Sequence, residues 1–375
     1  MSGGAARLAT LTVRDFRNLA RVELTPPSDG VVVIGENGQG KTNLLEAIYY
    51  LQILRSIRGA RDHDLVRFGA ETFHIAASVE TDRAHDVGIG FERAGRRKRI
   101  RLDGVIPDRL SDGLGSLPSV MFSPADVDLV SGPPTARRRF LDITLALTAR
   151  GYLSALQRYR AALLRRNAAL REAVRRGRPV DAAITVWEPP LAEHGSLLWS
   201  ERKAWVESAA FAFEELCRAI GETGKMALRY ASTTSETTDP RASLASALAE
   251  KRPMDLRRGL THAGPHRDDL VMTLDGRDLR IFGSAGQQRT AAIALRMLEA
   301  RTFRDRTGRA PVFLLDDPFA ELDLRRATRV LELLEGSGLG QTLLAVPRES
   351  DIPPELTRLE RVRIARGELS AWSGA

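Results

Sequence analysis

Hydrophobic and polar positions change period several times along the chain, and those changes predict its elements. LATLTVRDF and RVELTP alternate as strands do, and VVVIG is short and wholly apolar, as expected of a buried strand. NLLEAIYYLQIL then carries apolar residues at helical spacing. Residues 72–106 predict two or three further strands with tight turns, including a hairpin around Gly95. Pro118, Pro124, Pro133 and Pro134 mark a loop-rich passage.

Beyond about 135 the period becomes helical. In GYLSALQRYRAALLRRNAALREAVRRG, Leu153, Leu156, Leu163, Leu170 and Val174 are spaced to share much of one face. GSLLWSERKAWVESAAFAFEELCRAI predicts a second long helix. Neither is long enough for a coiled-coil arm. Strands return with DDLVMTLDG and DLRIFG, followed by a helix at QQRTAAIALRMLEARTF, the strand PVFLLDD, a helix near 324–336 and the strand TLLAV. The expected architecture is α/β, with residues 1–130 and 255–375 forming one discontinuous domain and residues 131–254 a helical subdomain inserted into it.

Composition narrows the class. The 375 residues are 43% hydrophobic, enough for a sizeable core. Cys217 is the one cysteine, which excludes an internal disulfide and fits a reducing, cytoplasmic setting. No run reaches the roughly 18 apolar residues of a membrane span, so no membrane partner is expected. The formal charge of +8 favours polyanions.

The chemistry lies in three segments. GENGQGKTN, residues 35–43, sits between strand and helix and matches G-x-x-x-x-G-K-[ST] through Gly35, Gly40, Lys41 and Thr42. Glycines let backbone N–H groups turn inward around phosphate oxygens, and the helix adds its positive N-terminus. Lys41 would neutralise the β- and γ-phosphates of ATP, and Thr42 would ligate Mg²⁺. PVFLLDD, residues 311–317, ends an apolar strand in carboxylates: Asp316 for the metal and Asp317 as general base. GSAGQQRT, residues 283–290, places Ser284, Gly286 and Gln287 at a helix N-terminus. Together with ELD at 321–323 this predicts ABC-type ATPase architecture, in which the serine of one subunit meets ATP held by another.

Seven segments in order resemble the RecF family, relatives of SMC ATPase heads. They are DFRN at 15–18, GENGQGKTNLLEAIYYL at 35–51, FSPADVDLVSGPPTARRRFLD at 122–142, WEPPLAEHG at 187–195, GPHRDDL at 264–270, SAGQQRT at 284–290 and LLDDPFAELD at 314–323. The resemblance implies a P-loop ABC-type ATPase head, SMC-like, that binds DNA at single-strand gaps and forms a homodimer on ATP. It implies RecR and RecO as mediator partners and the recombinase RecA indirectly. It places Arg17 near the nucleotide, Asn37, Gly38 and Asn43 in or beside the phosphate loop, and Asp323 at the dimer seam. Ala285, Ala320 and the absence of a histidine after TLLAV depart from the pattern and point to slow turnover.

Two rivals remain. A transporter-type ATPase subunit would carry an LSGGQ-like signature and a histidine switch, where this chain has SAGQQ and PRES. A scaffold that binds ATP and DNA without useful hydrolysis is consistent with every segment. For DNA contact the candidates are Arg97, Arg99 and Arg101, which share one face of a strand, the ARRR of 136–139, and the helix arginines 165, 166, 175, 176 and 178. Each would equally serve as a solvated or anchoring face. His262 and His266 are expected to make structural hydrogen bonds, since a metal site needs more converging ligands.

Overall fold

The computed structural model describes residues 4–177, 181–233, 238–319, 322, 324–336, 340–352, 356–357 and 359–372. They form two compact units: residues 1–126, 219–221 and 293–375, and residues 127–218 and 222–292. The first boundary lies beside the 130/131 junction expected from sequence. The second lies at 292 where the sequence reading placed it at 254. Strand β8 (Met226–Ala231) pairs along its length with β9 (Asp269–Leu274), which keeps the later segment with the insert.

The first unit holds two sheets. One is antiparallel, in the order β2 (Leu19–Leu24), β1 (Arg7–Phe16), β4 (Thr72–Glu80), β5 (Ala84–Glu92), β6 (Arg97–Leu102). Its strands alternate, with Phe73, Ile75, Val87, Ile89, Phe91 and Ile100 on the buried face. The other runs β14 (Glu368–Ala371), β13 (Glu360–Ala365), β3 (Gly30–Ile34), β12 (Thr342–Val346), β11 (Val312–Asp316), β7 (Ser119–Phe122). All of its pairings are parallel except β13–β14. β3, β7, β11 and β12 are buried at every position, which explains why they are apolar but for Ser119, Asp316 and Thr342 at their ends. Helix Lys41–Ile53 is buried at every residue after Asn43, and the edge-on ring contacts of Tyr50 with Phe16 and Phe73 lock it to the antiparallel sheet.

The second unit is helical around a small sheet, β10 (Arg277–Asp278), β9, β8. Its long helices are Tyr152–Arg176, Glu188–Ile220 and Pro240–Arg258. Glu188–Ile220 starts earlier than predicted because Pro189 and Pro190 occupy its first turn, where a missing N–H costs nothing. DLRIFG is not a strand beyond Asp278: Leu279–Phe282 turns helical, capped by Asp278, which accepts from the Arg280 N–H at 2.9 Å.

Several sequence readings change here. Leu156 and Leu170 are buried, but Val174 is 49% exposed. Arg166 is not a surface residue. It is fully buried and donates to Asp255 at 2.7 Å and Glu188 at 3.0 Å. Arg165 lies over the Trp187 ring, and residue 178 falls outside the described residues. Arg137 grips Asp269 through two bonds of 2.8 and 2.9 Å, and Arg138 donates to the Asp268 carbonyl. These two arginines anchor GPHRDDL. His262 Nδ1 meets Asp255 at 2.8 Å, and His266 bridges Tyr159 and the Thr261 carbonyl.

Candidate nucleotide site

β3 ends at Ile34, and the chain turns through residues 35–40 into helix Lys41–Ile53. Gly38 (φ 81°) and Gly40 (φ 116°) take left-handed conformations that only glycine adopts cheaply. The Gly35 N–H donates to the Val346 carbonyl at 3.3 Å, tying the loop to β12. Gln39 holds its other side: its side-chain oxygen accepts from the Arg366 N–H at 2.6 Å, and its carbonyl accepts from Gly367 at 2.9 Å. Asn18 of DFRN accepts from Asn43 at 2.8 Å.

Lys41 folds back over the loop, donating to the Gly35 carbonyl at 2.5 Å and the Glu36 carbonyl at 3.0 Å. Burial lowers its pKa, with Asp316 and Asp317 opposing that shift. Thr42 Oγ1 donates to Asp316 Oδ2 at 2.8 Å, joining residues 274 positions apart. Burial raises the Asp316 pKa against the hydrogen bond from Thr42 and the charge of Lys41. Asp317 sits at φ 45°, a strained conformation that asparagine and aspartate tolerate best, and its N–H donates to the Ala345 carbonyl at 2.9 Å. Asn37, Gly38, Gly40, Lys41, Thr42, Asn43, Asp316 and Asp317 all line one cavity of about 380 Å³.

That cavity has one lining cation the motifs did not flag, Arg58. Arg58 donates to Asn43 Oδ1 and to the fully buried Glu46, which also accepts from Arg17 Nε at 3.1 Å and Ser56 Oγ at 2.5 Å. Burial would push the Glu46 pKa up, but the bonds from Arg58, Ser56 and Arg17 hold it below the usual range. Arg17 is thus fixed on Glu46, beside the phosphate loop rather than in the cavity lining. Glu46 had a signal of its own: a single carboxylate in a helix that is apolar on every face. Arg58 had none, because its role depends on a tertiary contact.

Ser284, Gly286 and Gln287 belong to the second unit. Ser284 and Gln287 form a reciprocal cap at the start of helix Ala285–Thr307: the Ser284 N–H donates to Gln287 Oε1 at 2.9 Å, and the Gln287 N–H donates to Ser284 Oγ at 3.3 Å. Ser284 is exposed. Asp323, with positions 320 and 321, lies outside the described residues. Among the described residues no cluster of three or more His, Cys, Asp or Glu is arranged to hold a metal, and no helix is long and apolar enough to cross a membrane.

A family model described as RecF/RecN/SMC N terminal domain matches residues 7–352. A DNA replication and repair protein RecF of Chloroflexus aggregans is 40% identical, over 96% of this chain and 98% of its own. The chain belongs to the RecF family. A RecF of Salinibacter ruber is 34% identical over 98% of this chain and 96% of its own. A solved structure of the recombination mediator protein RecF with ATP, of the RecFOR pathway, superposes at a TM-score of 0.89, with 28% identity over 98% of each chain. The Smc head domain of Pyrococcus furiosus shares the fold at a TM-score of 0.57 and 16% identity, over 97% of this chain and 95% of that one. The RecF family fold is therefore the SMC-like ABC-type ATPase head anticipated from the motifs.

Proposed function

We propose that this chain is an ATP-dependent DNA-binding protein of recombinational repair and replication restart. It dimerises on ATP, engages DNA at single-strand gaps, and resets by slow hydrolysis. The observation that carries the reading is the Thr42–Asp316 contact at the mouth of the phosphate loop. It brings two hard oxygen donors together beside Lys41, the donor chemistry that suits Mg²⁺. Thr42 and Asp316 would hold the ion, which would supply charge neutralisation to the phosphates when bound.

The chain's own residues do the rest. Backbone N–H groups of 35–42 and the helix N-terminus receive the triphosphate. Lys41 leaves its two carbonyls to reach the β- and γ-phosphates, and Arg58 adds a second cation at the rim. Asp317, placed by its strained backbone and its bond to β12, accepts a proton from the attacking water. Ser284, Gly286 and Gln287 of a second copy complete the site in trans, with Asp323 at the seam. The ATP-bound relative supports nucleotide binding, and that relative's place in the RecFOR pathway supports RecR and RecO as mediators; RecA would act downstream of them. Pro347, where a histidine switch would stand, favours slow turnover.

The test is ATP hydrolysis with and without gapped duplex DNA across protein concentration. Stimulation by DNA, rising faster than linearly with protein, is expected. A flat, DNA-independent trace would replace the switch with a scaffold. A Lys41→Ala variant that still dimerised on ATP would overturn the site assignment.

A further inference from the structure

The outer face of the antiparallel sheet contains a trench that the nucleotide site does not use. Along β5, Gly88 and Gly90 face outward between two ridges; the backbone is bare at Gly88, and the His74 ring leans over Gly90. In register, Gly90 lies between His74 on β4 and Arg99 on β6, and Gly88 between Ala76 and Arg101. The resulting cavity is about 390 Å³, with the 60% exposed Ile106 among its walls.

Gly88 is not required by the fold. Its φ is not left-handed, and a Cβ there would meet nothing nearer than Arg101 Cβ at 4.0 Å. Glycine inside a strand weakens it, and often marks close approach by a ligand. Arg99 and Arg101 are exposed and form no hydrogen bond or ion pair among the described residues. Lys98, just before Arg99 and on the opposite face of the strand, turns inward to Asp62 at 2.7 Å. Alternate residues on a strand stand about 6.8 Å apart, comparable to the spacing of successive phosphates on an extended nucleic-acid strand. The two ridges are two strand spacings apart, roughly 9.6 Å. A duplex, whose major groove alone is about 12 Å wide, is too broad to enter.

We infer that this trench holds one single nucleic-acid strand, its phosphates on Arg99 and Arg101 and its sugars and bases against the Gly88–Gly90 floor. The inference rests on the DNA-binding reading above and adds the surface that takes the single strand. An acidic peptide is disfavoured because the trench lies on a sheet face, where no unpaired backbone edge is offered to it.

The experiment is fluorescence anisotropy of labelled oligothymidylate and of a blunt duplex, with the full chain and ATP. Variants are Gly88→Val, which fills the floor, and Arg99→Glu with Arg101→Glu. ATP affinity, a function of the other site, reports that each variant is folded. The double charge reversal is expected to weaken oligothymidylate binding by roughly 10-fold or more and to lower its salt slope by about 1.4. Gly88→Val should weaken single-strand binding and spare the duplex. Unchanged oligothymidylate binding in the charge-reversed variant overturns the trench while leaving DNA binding intact elsewhere. Equal losses on duplex, or competition by polyglutamate as strong as by unlabelled oligonucleotide, also overturn it. A wild-type protein that binds neither DNA would instead remove the broader reading.

Discussion

Thr42 Oγ1 and Asp316 Oδ2 meet at 2.8 Å, although one residue opens a helix near the start of the chain and the other closes a strand near its end. The pairing depends on β3, β12 and β11 running parallel in that order, which brings the C-terminal ends of β3 and β11 to the same edge of the sheet, one strand apart. Replacing Thr42 by Val, or Asp316 by Asn, should each lower Mg²⁺-dependent ATP turnover by at least about 100-fold, the order seen when a group stabilising transition-state charge is removed. Combining the two should cost less than the product of the single losses, because both act on one contact. Steady-state turnover of the three variants checks this.

Glu46 gathers Arg17, Arg58 and Ser56 around one buried carboxylate. Glu46→Ala removes the buried acceptor that two arginines and the Ser56 hydroxyl share. The expected loss is about 1–3 kcal/mol, the cost of stranding buried polar groups, read by urea denaturation. Arg58 should at the same time lose its orientation toward the cavity, raising the KM for ATP. A stability loss with no change in KM would separate the network from the site.

Arg166 neutralises both Asp255 and Glu188 inside the second unit. Arg166→Ala should destabilise the protein by about 3–5 kcal/mol, since it leaves the buried Asp255 without its arginine, while Glu188 keeps Arg252. Surface arginines 171 and 175 should be near neutral when changed in the same way. Comparing the unfolding midpoints of the three variants decides between a structural and a surface role for Arg166.

His266 is held neutral, with its pKa pushed down to about 4, first by burial and then by the charges of Arg267 and Arg138, against the bond to the Thr261 carbonyl. In the unfolded chain it titrates near 6.5. Between those values the unfolded state binds a proton that the folded state refuses, so stability is present above pH 6.5 and is lost as pH falls toward 4. His266→Gln keeps a donor for Thr261 and an acceptor for Tyr159 while removing the titration. Its stability curve should be flatter over that window. An acid limb identical to wild type would show that other groups set it.

The phosphate loop and its strand–helix setting were legible because VVVIG and NLLEAIYYL each carry an unambiguous period. PVFLLDD was legible for the same reason. β8 was not, since MALRYA is short, stands between two helices, and is defined by its pairing with β9. Arg166 misled because its charge suggested surface, although it lies four residues from both Ala162 and Leu170 on the buried stripe of its helix. Arg58 reaches the cavity only through Asn43 and Glu46, and no spacing rule encodes that. DLRIFG reads as alternation, but the Asp278 cap turns it helical.

β3 sits between β12 and β13, and the loop that follows it leans on Val346, Arg366 and Gly367. Residues 35–42 therefore leave the ribosome more than 300 positions before the strands that hold them in shape. A nascent chain carries the phosphate-binding motif for most of its synthesis without a cradle to bind with. Competence for ATP arrives as a late event of biogenesis, after the insert and its buried ion pairs have emerged.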